Sequence, residues 1–133
     1  MKRMGAVLGV LVVALFAVGP VLADHADFTV LSPKDGETVK PDPNLGPVVV
    51  VQLEPKNFRI ADFTEETATD EHVGHIHIQL DDQPYNTIHT AKPIFVYAGV
   101  KPGKHTLTVE LVHNNHTPLT KRVVKKIGFR MAR

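Results

Sequence analysis

Two segments of this chain alternate apolar and polar residues with a period of two, and that pattern restricts the fold to β-structure. Over residues 75–80, Ile76, Ile78 and Leu80 share one parity while His75, His77 and Gln79 share the other. Over residues 105–112, Leu107, Val109 and Leu111 alternate with Thr106, Thr108 and Glu110. Successive side chains of a strand point to opposite faces, so each segment reads as a strand with one apolar and one wet face. No stretch after the N-terminal one carries the three-and-four spacing of a useful amphipathic helix.

Shorter runs between Pro- and Gly-containing turns extend the pattern. Residues 28–31 read as a first strand, ended by the turn Pro33-Lys34-Asp35-Gly36. Residues 48–53 form a β-branched run suited to a strand buried on both faces. Residues 58–60 add a short piece, and the acidic segment 61–71 reads as a long loop. Residues 94–97 form a further strand before the turn Lys101-Pro102-Gly103-Lys104. The last strand runs from about Arg122 to Met131, with a phase slip near residues 123–126 that suggests a bulge. About seven short strands with regular turns predict a single all-β domain, an Ig-like β-sandwich.

The N-terminus points to export. Lys2 and Arg3 precede an apolar stretch from Ala6 to Val18, then Gly19-Pro20, then Val21-Leu22-Ala23 as a peptidase site. That stretch is shorter than the roughly 20 residues of a comfortable membrane span. The expectation is a signal peptide over residues 1–23, cleaved after Ala23. Residues 24–133 then form one periplasmic or secreted domain without a membrane span. The sequence has no cysteine, so neither disulfides nor thiolate ligands are available to it. Without Lys2 and Arg3, 13 basic side chains balance 14 acidic ones, which argues against a nucleic-acid partner.

Histidine is the residue in excess. There are eight, and seven lie between His72 and His116. His75 and His77 form an H-x-H pair on one face of a strand, where two imidazoles can chelate if a loop adds a third. His113-Asn114-Asn115-His116 is a candidate loop, and His105 opens the following strand. Neutral imidazole suits copper, zinc and nickel. The candidate metal ligands are therefore His75, His77, His105, His113 and His116, with copper or zinc as the expected ion. The competing reading is structural: histidines on a polar face can be solvated or bonded to Thr106, Thr108 and Glu110. His89, in a hairpin, reads as an ordinary loop residue. Enzymatic chemistry is not expected, since Ser32 is the one serine and no cysteine exists. The alternative to a metal carrier, buffer or sensor is an extracytoplasmic interaction or assembly module with a protein partner.

Taken together, Gly74-His75-Ile76-His77-Ile78, Pro102-Gly103-Lys104-His105-Thr106-Leu107 and His116-Thr117-Pro118 resemble a group of bacterial periplasmic domains of unknown function. Their pattern is G-H-x-H, then P-G-x-H-x-L-x-V-x-L, then H-x-P, and the likeness spans most of residues 48–131. The resemblance implies the same fold and singles out His75, His77, His105 and His116, leaving His72, His89 and His113 without counterparts. A second likeness, to periplasmic copper-resistance carriers, rests on His25-Ala26 and on residues 31–39. It implies Cu(II) binding through an N-terminal histidine, although cleavage after Ala23 leaves His25 second.

Overall fold

The computed structural model describes residues 24–65 and 70–133. The expected signal peptide lies outside the described residues, as do residues 66–69 of the acidic loop. Within them, every regular element is a strand: β1 (Asp27–Ser32), β2 (Thr38–Val39), β3 (Val48–Lys56), β4 (Arg59–Ile60), β5 (Val73–Leu80), β6 (Asn86–Ile88), β7 (Ile94–Ala98), β8 (Gly103–Val112) and β9 (Pro118–Met131). The seven expected strands are present, and the short pieces β2 and β6 add to them.

The strands form two sheets. One has three strands in the order β1-β3-β7; the other follows β2-β9-β8-β5-β4, with β6 also paired to β5. Most pairs are antiparallel, but β2–β9 and β4–β5 are parallel. Phe28, Val49, Val51, Leu53 and Tyr97 of the first sheet meet Ile76, Ile78, Leu80, Leu107, Val109, Leu111, Phe129 and Met131 of the second in one buried cluster. Burying each large aliphatic or aromatic side chain contributes roughly 1.5–3 kcal/mol. In the absence of disulfides, this shared layer holds the sandwich together.

Two expectations about the strands are corrected. β3 is not buried on both faces: Val49, Val51 and Leu53 are buried while Val50 is exposed. Among the described residues, nothing packs on the outer side of the three-stranded sheet, where Val50, Ile94 and Val96 are exposed, so β-branching there reflects strand propensity and not burial. The irregularity of β9 also lies elsewhere. Its register against β8 is continuous from Gly103↔Met131 to Leu111↔Val123, and the shift falls between Leu111 and Val112. The apparent slip near residues 123–126 arises because Lys125 occupies an inward position. Its ammonium pairs with Asp27 Oδ1 at 2.9 Å, donates to the Phe28 carbonyl and stands 4.8 Å above the Phe28 ring. A long amphipathic side chain can fill such a site by burying its stem and keeping its head among polar groups.

Candidate metal centre

The two long alternating strands lie side by side, and their pairing decides which histidines can meet. His75 lies opposite Val112 and His77 opposite Glu110. The apolar parity of β5 points into the core, so both histidines stand on the outward face of the six-stranded sheet. The β8–β9 loop then folds back over that face. His116 N–H donates to the His113 carbonyl and His113 N–H to the Thr117 carbonyl, both at 2.9 Å. His116 itself has φ 68°, a left-handed conformation that side-chain-bearing residues adopt at a cost.

Three ring nitrogens converge as a result. Nε2 of His75 lies 3.0 Å from Nε2 of His77, which lies 3.1 Å from Nδ1 of His116. One ligand atom from each of the three residues falls within 4.8 Å of the others. Two nitrogens bound to one zinc at about 2.0–2.1 Å stand about 3.3 Å apart at a tetrahedral angle and about 2.9 Å apart at a right angle. The two short separations match that range, and the third lies within 4.8 Å. Burial falls from His75, fully enclosed, through half-buried His77 to exposed His116, so the group opens to solvent on one side.

The second layer selects the reactive nitrogen of His75. The Asn114 side-chain amide donates through Nδ2 to the carbonyls of Glu65 (2.5 Å) and Asp62 (3.2 Å). Those two acceptors orient the amide, so its Oδ1 is the acceptor facing His75 Nδ1 at 3.3 Å. Nδ1 of His75 therefore carries the hydrogen. In the neutral ring, Nε2 is left with a free lone pair aimed at the group. Holding an imidazole tautomer through the nitrogen remote from the metal is a common second-layer device.

Electrostatics favour the same state. Burial, reinforced by His89, pushes the His75 pKa down to about 4; Asn114 opposes this, and His77 and His116 add to it. Burial and His116 likewise hold His77 below the ordinary histidine value, against the opposing pull of Glu110. Tyr85 stacks on His77 with ring centres 4.2 Å apart and planes 19° apart, which sets that ring's orientation. The three converging donors are all imidazole nitrogens, with no carboxylate among the described residues joining them, a set suited to copper, zinc or nickel and unsuited to calcium or magnesium.

The other expected ligands stand apart. His105 lies at the opposite end of the sheet, about 20 Å along β5 from the group by strand rise. Its Nδ1 donates to Asp81 Oδ2 and its Nε2 to the Lys101 carbonyl, each at 2.7 Å, and its ring stacks on Phe129. Both nitrogens are engaged, and His105 is not among the three histidines that converge. His113 turns away from the group: Nδ1 meets the Asp70 carbonyl at 3.2 Å and Nε2 the Glu71 carboxylate at 3.1 Å. His25 lines a groove with Glu71, His72 and Lys121, away from the three histidines.

Three contributors were not legible as such. His89, read as a loop residue, has its ring centre 4.3 Å from that of His75. Continuing the β5–β6 register one step beyond Ile76↔Ile88 places it opposite His75, a signal present in the pairing but not in spacing alone. Asn114 and Tyr85 carry no sequence signal of their roles, which depend on carbonyls and rings from distant segments.

Comparison with known proteins gives the family. No curated protein matches the chain. A crystal structure of the endo-beta-1,4-mannanase from Thermotoga petrophila is similar over 85% of this chain, at 16% identity and a TM-score of 0.48. The chain spans 20% of the length of that enzyme. A family model matches residues 35–128, which include every strand from β3 to β8 and all three converging histidines, and the chain thus belongs to the Family of unknown function (DUF6130).

Proposed function

We propose that this protein is an exported metal-binding module that holds one copper or zinc ion at His75, His77 and His116. It acts outside the cytoplasm as a carrier, buffer or sensor and not as an enzyme. One observation carries the reading: three imidazole nitrogens from β5 and the β8–β9 loop face one another at 3.0 and 3.1 Å. A purely structural cluster would pair such nitrogens with carbonyls or carboxylates, as His105 and His113 are paired. Facing nitrogens share too few hydrogens to satisfy one another fully, and a cation resolves that conflict.

The test is titration of the purified, untagged protein with Cu(II), Cu(I) and Zn(II), repeated with His75→Ala/His77→Ala. The expected result is one tightly bound equivalent that is lost in the double variant, with the preferred ion naming the role. Weak binding that survives both substitutions would return the cluster to a structural role.

A second reading has its own observation. On the outer face of the three-stranded sheet, Val50 and Val96 are cross-strand partners and are 43% and 50% exposed, beside Ile94 at 49%. β7 is also an edge strand of apolar composition without a charged residue, the kind that pairs with another chain. These features favour an assembly module, with a second copy of this chain as the partner.

A further inference from the structure

Three ligands leave one coordination position of a four-coordinate ion to be filled, and the histidine packed against this group is His89. It follows β6 directly, on the same outward parity as Thr87, which pairs with His77. Its ring lies against His75 at 4.3 Å with planes 34° apart, and the Phe63 ring stands 6.3 Å away with planes 77° apart. Its Nδ1 is shut off from solvent and has no hydrogen-bond partner among the described residues. A buried polar nitrogen without a partner has lost its water and gained nothing in return. Elsewhere, the ring nitrogens of His105 and His113 all find acceptors, so the orphaned atom of His89 is exceptional among the histidines packed on this sheet.

We propose that His89 is the fourth ligand of the histidine site. Its imidazole turns about its side-chain torsions, leaves the face of His75 and presents a ring nitrogen to an ion held by His75, His77 and His116. This inference rests on the metal reading above and decides what kind of centre it is. Three ligands with an open position leave room for water or substrate, as catalytic zinc sites do; four protein ligands close the centre, as structural and storage sites do. A closed four-imidazole centre stores or carries its ion without activating water. Ligation through Nδ1 would also give that nitrogen its partner.

The experiment uses the purified protein with Co(II) as a spectroscopic probe and Zn(II) affinity by competition, for the wild type and for His89→Phe. Phenylalanine keeps a flat ring against His75 and lacks only the nitrogens, so it separates ligation from packing. His89→Leu serves as a second variant, and thermal melting reports folding of both. The wild type is expected to give the intense visible bands of tetrahedral Co(II), unmoved by azide. His89→Phe is expected to bind one equivalent more than about 100-fold more weakly, beyond the loss typical of a residue that acts through a ligand, and to shift its bands when azide enters the vacated position. If folded His89→Phe and His89→Leu match the wild type in affinity and spectrum, and azide already shifts the wild type, His89 is a packing residue and the three-histidine reading stands alone. If the wild type binds neither ion, both the metal reading and this inference fall.

Discussion

At the scale of single residues, the same side chain type takes opposite roles according to its partners. His75 is buried beside other imidazoles and held neutral with a lone pair toward them, whereas His105 faces two acceptors. Burial works against a charged His105 ring, but the Asp81 carboxylate and the Lys101 carbonyl outweigh it, and its pKa stands above the ordinary value of 6.5. For Asp81, burial opposes ionisation, yet His105 and the Thr106 N–H prevail and its pKa stands below 3.8. The signs define a window. Stability from a raised histidine is complete below pH 6.5 and fades as pH rises through its folded value. Stability from a depressed carboxylate is present above pH 3.8 and fades as pH falls through its folded value. His105→Gln should thus lower stability by about 2 kcal/mol near pH 5–6, with a smaller loss at pH 9, in denaturant melts across that range. An equal loss at both pH values would show that the ring acts by packing on Phe129 alone.

At the scale of elements, the pairing of β5 with β8 and its loop assembles the site, and Gly74 permits it. A Cβ at Gly74 would lie 1.9 Å from the Val112 carbonyl oxygen and 2.9 Å from its carbon. Backbone stands where the side chain would be, so no rotamer change relieves the clash. The glycine of the G-H-x-H motif is therefore a packing requirement, and displacing Val112 displaces the loop that carries Asn114 and His116. Gly74→Ala should cost about 3 kcal/mol in thermal melts and abolish tight metal binding while His75, His77 and His116 are all retained. Melting and binding like those of the wild type would mean that the loop is placed independently of this contact. The register shift between Leu111 and Val112 belongs to the same junction: it ends regular pairing where the loop must turn back over the sheet.

At the scale of the whole molecule, the two sheets have different outer surfaces. The six-stranded sheet carries the histidines under a loop, while the three-stranded sheet exposes Val50, Val96 and Ile94 beside the free edge of β7. These surfaces belong to different sheets, so metal binding and self-association are separable. If the apolar face is an interface between copies, sedimentation will show a concentration-dependent dimer that Val96→Lys converts to monomer, with metal binding unchanged. A wild-type protein that stays monomeric at high concentration would remove the assembly reading. Lys125 bears on this scale too, because its reach to Asp27 and Phe28 ties an inward cation of one sheet to the first strand of the other.

The alternation over residues 75–80 and 105–112 determined by itself that the chain is β, which side chains enter the core, and that His75 and His77 share a face. Those are local consequences of a two-residue period, which any extended backbone imposes. The choice among the remaining histidines was not local. The resemblance singles out His105 along with His75, but His105 sits at the far end of the sheet, because antiparallel pairing sends the start of β8 to the end of β5. His116 joins the pair because the loop folds back and takes a left-handed turn, and His89 joins its edge because β6 pairs with β5. The tautomer of His75 depends on Asn114, whose orientation is set by carbonyls some 50 residues earlier in the chain. Residue type and spacing specify which donors exist, but convergence depends on strand register and loop path, and those emerge only when the core is packed.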